Sequence, residues 1–461
     1  MTCVATAPLR ASEEIQGNVL APFPEEHQAF LMLSLADPGG ARRWLRRVLS
    51  GITATAQVNA APVGGPVAGE SAVYRSLGLS YRGLGRLSPA ALAGLEAFEA
   101  FREGPAARAA KLRDRGPGAP ERWAFGGPGQ APVDALLTLA STSLERLEGA
   151  LDEERRLASD LSDDGVDVVH VERGGLLPGA MAGREHFGFR DGISQPAVLG
   201  HDDPAEGEPE RRLTPAGEFV LGHPRHGAGG LGPPIACPAW MHDGTFQVFK
   251  RFQQDVPGWR AQLAAASTEL AGRGVPMSAD ELAARLIGRW PSGAPLAHSP
   301  EVDNGAAPGA VFDYEDDPLG LKTPRFSHVR KMYPRSNLVV DREWHRLIRR
   351  AVPFGPVYDP EAGPGFGPDL ERGLLMNSFM ASIEQQFEFL LRGWAHDPDF
   401  FEADDGPDPL IGEDAAPVTL RCPLHGRQAL SIQRHVHAAG AVYAFVPSLS
   451  ALRKLAAPPA G

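Results

Sequence analysis

A chain of 461 residues carries 45 Lys and Arg against 57 Asp and Glu, a formal charge of -12, which disfavours a nucleic-acid backbone or an anionic membrane and favours a small neutral or cationic partner. Its three cysteines, Cys3, Cys237 and Cys422, are too few and too scattered for a disulfide framework or a Cys-rich zinc site. No run has the length of a membrane span and Met1 to Pro24 lacks the pattern of a secretory signal, so a cytoplasmic location is expected.

The length allows two or three ordinary domains, or one two-lobed unit with a deep interface. Ala29 to Ala36 is a short apolar run closed by Asp37-Pro-Gly-Gly and reads as a buried strand. Ala41 to Ile52 reads as a helix, with Ala41, Trp44, Leu45, Val48, Leu49 and Ile52 on one face and four arginines on the other. Ala72 to Leu79 is expected as a strand, Ser88 to Arg113 as a helical insertion, Val133 to Ser141 as a strand, Ser143 to Leu157 as a helix and Val166 to Glu172 as an alternating strand. This β-α-β-β-α-β order is the split pattern of a ferredoxin-like sheet.

Asp202 to Pro234, dense in Gly, Pro and acids, reads as a surface loop or linker. The rhythm then repeats, with strands at Phe246 to Phe252, Arg346 to Val352, Gly373 to Ser382 and Ala441 to Pro447, and helices at Asp280 to Ile287 and Ile383 to Trp394. The expectation is an α+β chain of two ferredoxin-like lobes with antiparallel sheets, residues 1–232 and 233–461, with a cleft able to bury a large planar ligand.

Three places could carry chemistry. In His186-Phe-Gly-Phe-Arg-Asp-Gly-Ile-Ser-Gln-Pro196, Gly188 and Gly192 flank Asp191, so the backbone can turn tightly while one acid projects; a plain turn would look the same. His328 lies in Phe326-Ser-His-Val-Arg-Lys-Met-Tyr-Pro-Arg335, where Pro334 stops the local element and basic residues crowd behind the imidazole. That suits either a metal-holding histidine beside an anionic group or an ordinary histidine near a basic patch. Arg349, in the apolar setting Leu347-Ile-Arg-Arg-Ala-Val-Pro-Phe-Gly355, needs an anionic partner or a polar ligand because it stays charged, and a salt bridge at a lobe junction would serve as well as a functional site. Fingerprints of dinucleotide, nucleotide, zinc-protease and esterase sites are absent, and the pairs His242-Asp243 and His396-Asp397 stand isolated beside turn signals.

Taken in order, these blocks resemble the dye-decolorising peroxidases. The matching stretches are Glu14-Ile-Gln-Gly-Asn-Val-Leu20, Gly188 to Gly192, Gly217-Glu-Phe-Val-Leu-Gly222, Asp243-Gly-Thr-Phe-Gln-Val-Phe-Lys-Arg251, Leu282 to Leu296, Ser327-His-Val-Arg with Ile348-Arg-Arg, and Ile383-Glu-Gln-Gln-Phe-Glu-Phe389, and they span nearly the whole chain. By length and blocks the chain is similar to the family's larger intracellular branch. The resemblance implies haem b between the lobes, with His328 as the iron ligand, Asp191 as the distal acid–base residue and Arg349 as the distal arginine. It further implies Glu384 as acceptor of the His328 N–H, and Gly188, Gly192, Arg330, Arg335 and Phe379 beside the cofactor. The implied activity is reduction of hydrogen peroxide and oxidation of dyes, phenolics or other small aromatic donors through a ferryl intermediate. An acidic optimum follows from a carboxylate that must be ionised to take a proton. The alternatives are a haem-handling protein with little turnover, which would keep His328 and the cleft, and a two-lobed binding module without haem. Homo-oligomerisation is admitted by the sequence but not specified by it. Tyr333, Ala351 and Ser382 depart from the residues usual in the family; electrons from donors too bulky to enter would have to come by way of the surface, with Tyr333 and Trp394 as candidate relay points, Trp394 being equally placed for packing on its apolar helix face.

Overall fold

The computed structural model describes residues 9–61, 72–202, 213–305, 312–335, 342–359, 361–412 and 415–458. Four strands in the first half, β1 (His27–Leu35), β2 (Tyr74–Leu79), β3 (Ala135–Ser141) and β4 (Val166–Gly174), lie in the order β2-β3-β1-β4. The second half supplies β5 (Thr245–Gln254), an interrupted pair β6 (Ile348–Arg349) and β7 (Val352–Phe354), β8 (Gly373–Met380) and β9 (Val436–Val446). Counting β6 and β7 as one broken strand, this half repeats the same order, and every ladder among these strands is antiparallel. The two-lobed ferredoxin-like expectation therefore holds, with one refinement. Strand β9 meets β2 through the pair Phe445 and Leu79, so the halves form a single sheet. At its far ends Gly175 N–H donates to Pro353 O at 2.9 Å, which draws the exit of β4 onto β7.

Strand alternation divides the core into two layers. Phe30 and Met32 of β1, Leu136 of β3, Phe249 of β5, Leu375 of β8 and Val442 of β9 form an inner cluster. The opposite faces, such as Leu31 and Leu33 of β1, pack under helices. One of these is the helix Pro38–Val48, whose N-cap Asp37 accepts the Gly40 N–H and whose Trp44 and Leu45 are fully buried, as the amphipathic pattern predicts.

Two expectations need correcting, and two helices were not foreseen. Residues 88–113 hold only short turns of helix, Pro89–Leu92, Glu99–Glu103 and Pro105–Arg108, because Gly94 and Gly104 take left-handed conformations that interrupt it. Of the linker expected at Asp202 to Pro234, residues 203–212 lie outside the described residues, but Gly217–Gly222 is no surface loop, since Glu218, Phe219 and Val220 are fully buried. Val256–Gly272 is a helix of 17 residues that the sequence pattern did not announce. Its start, Val-Pro-Gly, reads as a turn, and its alanines blur the apolar stripe. Finally, the tail beginning at Leu449 is a helix over Leu449–Ala456, and Leu449, Leu452 and Leu455 are buried in the core.

The opening motif Glu14 to Leu20 is a clamp. Gln16 Nε2 donates to Leu77 O at 3.1 Å and Pro447 O at 2.8 Å. Arg350 reaches the carbonyls of Asn18, Val19 and Leu20 at 3.1, 3.2 and 2.7 Å. A buried guanidinium there is held by oriented carbonyl dipoles, and the clamp fixes the chain one residue beyond Arg349.

Candidate active site

A cavity of about 1720 Å³, its mouth included, opens on the outer face of β5, β8 and β9. Phe252 and Gln254 of β5, Leu374 and Met376 of β8 and Val436 of β9 form its floor, and Phe387, Leu390 and Leu391 of the two π-helical segments Ile383–Glu388 and Leu390–Ala395 form one wall. The lining is largely apolar, yet it includes five arginines, at 190, 289, 335, 346 and 349, against two carboxylates, Glu185 and Asp191. Burial and the neighbouring Arg335 push the Arg289 guanidinium down to about 10, which still leaves it charged at neutral pH. Such a surplus of cations in an apolar hollow calls for an anionic, flat, mostly apolar occupant.

His328 opens the short helix His328–Met332 and reaches the same cavity. Its side chain is 30% exposed, and what it is exposed to is the hollow. Nδ1–H donates to Asp408 Oδ2 at 2.7 Å. Burial lowers the imidazole pKa, but the charge and hydrogen bond of Asp408 outweigh it and the net shift is upward. Burial likewise pushes Asp408 up, and His328 together with the N–H groups of Leu410 and Ile411 brings it below the usual carboxylate range. With Nδ1 committed, Nε2 is the nitrogen left to hold a metal, and an ionised partner makes it a stronger donor.

Asp191, Gly192 and Arg349 also line the cavity. Gly188 and Gly192 have φ of +99° and +75°, the left-handed conformations that the turn requires of glycine. Asp191 Oδ1 accepts the Gly192 N–H at 2.7 Å, leaving Oδ2 for a ligand. The backbone of Arg349 is pinned by Gln195, whose amide accepts its N–H at 3.1 Å and donates to its carbonyl at 2.8 Å. Among the described residues no hydrogen bond is made by its guanidinium, which burial pushes below the ordinary arginine value. Asp191 and Arg349 are close enough to His328 to shift its titration in opposite directions. The structure thus gathers the three separated blocks in one place, and Arg335 joins them on the lining.

Other expected neighbours stand elsewhere. Glu384 does not touch His328: its Oε1 accepts the Ala100 N–H at 2.6 Å, capping the helix Glu99–Glu103, and its Oε2 takes the Ser382 hydroxyl at 3.2 Å. Asp408 holds the position expected of it. Phe379 points away, because Leu374 and Met376 face the cavity and strand alternation sends residue 379 to the opposite face, against Ile348, Phe219 and Val446. Arg330 is fully buried, donating to Asp317 Oδ2 at 3.1 Å and Thr323 O at 2.7 Å, and does not line the cavity. Gly188 serves the turn rather than the lining, its carbonyl accepting from Arg184 at 2.7 Å. Trp394 is 1% exposed and packs edge-on against His345, Phe389 and, at a tilt, Phe400.

Sequence reasoning missed Asp408 and Glu185. Asp408 sits among Asp397, Asp399, Glu402, Asp404 and Asp405, and nothing local marks it out. Glu185 supports the turn from beneath, accepting the N–H groups of Phe187 and Phe189, each at 2.9 Å. Burial raises its carboxyl to about 7. A raised value means that the folded state binds the proton more tightly, so this contribution to stability is complete below the ordinary carboxyl range near 4.5 and is lost as pH rises through about 7. In melting curves of the cofactor-free chain, wild type should lose melting temperature over that window relative to Glu185→Gln; parallel profiles for the two proteins would show that Glu185 is ionised throughout.

Among the described residues no helix is long and apolar enough to cross a membrane. Residues 235–402 match the family model described as Dyp-type peroxidase, C-terminal. The chain is 30% identical over 466 residues to dye-decolorizing peroxidase msp1 of Mycetinis scorodonius, covering 95% of this chain and 86% of that one. It is 29% identical over 467 residues to the multifunctional dye peroxidase DyP2 of an Amycolatopsis species, covering 96% and 95%. A solved dye-decolorizing peroxidase in complex with 2,6-dimethoxyphenol superposes with a TM-score of 0.81 at 29% identity, over 96% of this chain and 99% of the other. Similarity that runs through both halves, in sequence and in backbone alike, makes this chain a member of the dye-decolorizing peroxidases, a family of haem peroxidase enzymes.

Proposed function

We propose that the chain binds haem b in this cavity and uses hydrogen peroxide to oxidise dyes, phenolics and similar one-electron donors. The observation that carries the reading is an imidazole backed by a buried carboxylate, His328 on Asp408, sharing a cavity with a second carboxylate and a guanidinium, Asp191 and Arg349. The lining fits the group: the apolar floor suits the macrocycle, and Arg335 and Arg289 offer positive charge to its two propionates. When bound, haem supplies the iron and conjugated ring that accept oxidising equivalents from peroxide and pass them to donors one electron at a time.

The protein's own part is proton and charge management. Asp191 Oδ2 would take a proton from one oxygen of hydrogen peroxide and return it to the other, which leaves as water. Arg349, already short of hydrogen-bond acceptors, stabilises the negative charge that grows on the departing oxygen. Gln195 and the Arg350 clamp hold the backbone from which that guanidinium projects. In this reading the chain divides near Gly232 and Pro233, so the turn carrying Asp191 comes from the first part and His328 and Arg349 from the second.

The visible spectrum of the purified protein with haem, followed by addition of peroxide, tests the reading. A Soret band that shifts on peroxide addition and recovers with a reducing dye is expected. A band indifferent to peroxide would favour a haem-handling protein, and failure to acquire any band would leave only a two-lobed binding module.

A further inference from the structure

Tyr333 follows the helix that begins at His328 and lines the same cavity. Its phenol donates a hydrogen bond to Glu343 Oε1 at 2.6 Å, and the other carboxylate oxygen lies 3.9 Å from Arg346 Nη1. Two guanidiniums lie over the ring, Arg346 at 4.0 Å and Arg335 at 5.0 Å from its centre. Cations in that position are attracted by the ring's electrons, and the same field makes a positively charged ring costly. A phenol placed so can lose an electron readily only if its proton leaves in the same event. Glu343 is placed to receive that proton.

We propose that Tyr333 is a redox residue of the cavity, yielding one electron to the peroxide-oxidised cofactor while its proton passes to Glu343 Oε1. The inference rests on the haem-peroxidase reading above. The phenolic O–H bond breaks, an O–H bond forms on the Glu343 carboxylate, and a neutral phenoxyl remains. Hydrogen peroxide, reduced to water, is the oxidant; it leaves the cofactor two electrons short, and Tyr333 returns one of them. A donor then gives its electron to the phenoxyl, Glu343 gives the proton back, and the donor need approach only the half-buried tyrosine rather than the iron.

The test is electron paramagnetic resonance on haem-loaded protein frozen shortly after one equivalent of hydrogen peroxide, with the radical yield normalised to the haem oxidised. Wild type should give a tyrosyl signal that falls to background in Tyr333→Phe. Glu343→Gln, which keeps the phenol but removes its proton acceptor, should lower the yield several-fold and enlarge the solvent deuterium effect on its formation. A Tyr333→Phe protein with the wild-type signal at the wild-type yield would overturn the proposal. Should that variant fail to take up haem, Glu343→Gln decides, since an unchanged yield overturns it equally. If wild-type absorbance itself does not respond to peroxide, the haem-peroxidase reading fails first and this proposal with it, an outcome distinct from oxidised haem without a Tyr333 radical.

Discussion

Replacing Asp191 by Asn should slow the reaction of the haem-loaded protein with hydrogen peroxide by about 10²- to 10⁴-fold, the span that a single well-placed acid–base group contributes. The substitution preserves shape and leaves an amide oxygen to accept the Gly192 N–H, as Asp191 Oδ1 does at 2.7 Å, so the turn should persist. What is lost is an oxygen that can take a proton and hand it on. Arg349 would remain in place and still favour charge on the departing oxygen, which is why some reactivity should survive. Stopped-flow absorbance at increasing peroxide measures the second-order constant directly. An Asn variant within a factor of a few of wild type would move the proton-transfer role to another group, and Glu185, on the same lining and with a carboxyl raised to about 7, would be the one to examine.

Replacing Asp408 by Asn should weaken the hold on haem by about 10- to 100-fold, the usual effect of removing the outer partner of a metal-bound histidine. Two causes act together. The imidazole loses an ionised acceptor 2.7 Å from Nδ1 and becomes a poorer donor to iron, and Leu410 and Ile411 must share their N–H groups with a neutral amide in place of a carboxylate. The weaker donor should also raise the ferric/ferrous midpoint potential, because the oxidised iron loses more stabilisation than the reduced one. Haem titration and potentiometry read the two effects separately. A potential that stays fixed while the affinity falls would confine Asp408 to holding the loop in place. Glu384→Gln provides the contrast: with its carboxylate bonded to Ala100 and Ser382, it should leave the potential where it was.

The strands were the most legible part of the sequence, and the reason is physical. Val166 and Val168 and, beyond a bulge in the pairing with β1, Val171 pack against the helix-covered core, and a period of that kind is written in the strand itself. The helix Val256–Gly272 was hidden because alanines elsewhere on its surface blur the stripe of Val256, Trp259, Leu263 and Leu270 that it buries. At the site, His328, Asp191 and Arg349 were legible as ordered blocks, whereas their partners were not. Which carboxylate meets His328 depends on how a loop 80 residues away returns to the helix, and a run of acids between Asp397 and Asp408 offers no local sign of the one that does. Phe379 was misplaced for a related reason: alternation tells which residues of β8 share a face, but only the position of the π-helical wall tells which face holds the cavity.

The clamp formed by Glu14 to Leu20 has a bearing on the order of events during synthesis. Its Gln16 side chain ends on the carbonyl of Pro447, and its own carbonyls are gripped by Arg350. A segment translated early finds some partners near Thr53 and Leu77 but completes its set only after more than three hundred further residues have left the ribosome. Until then Ile15, Val19 and Leu20, each almost wholly buried in the finished protein, lack the cover that β6 and the end of β9 later provide. Domains commonly fold in the order they emerge, but here the first part cannot be sealed before the last arrives, and the same late step that covers these side chains also fixes the strand carrying Arg349.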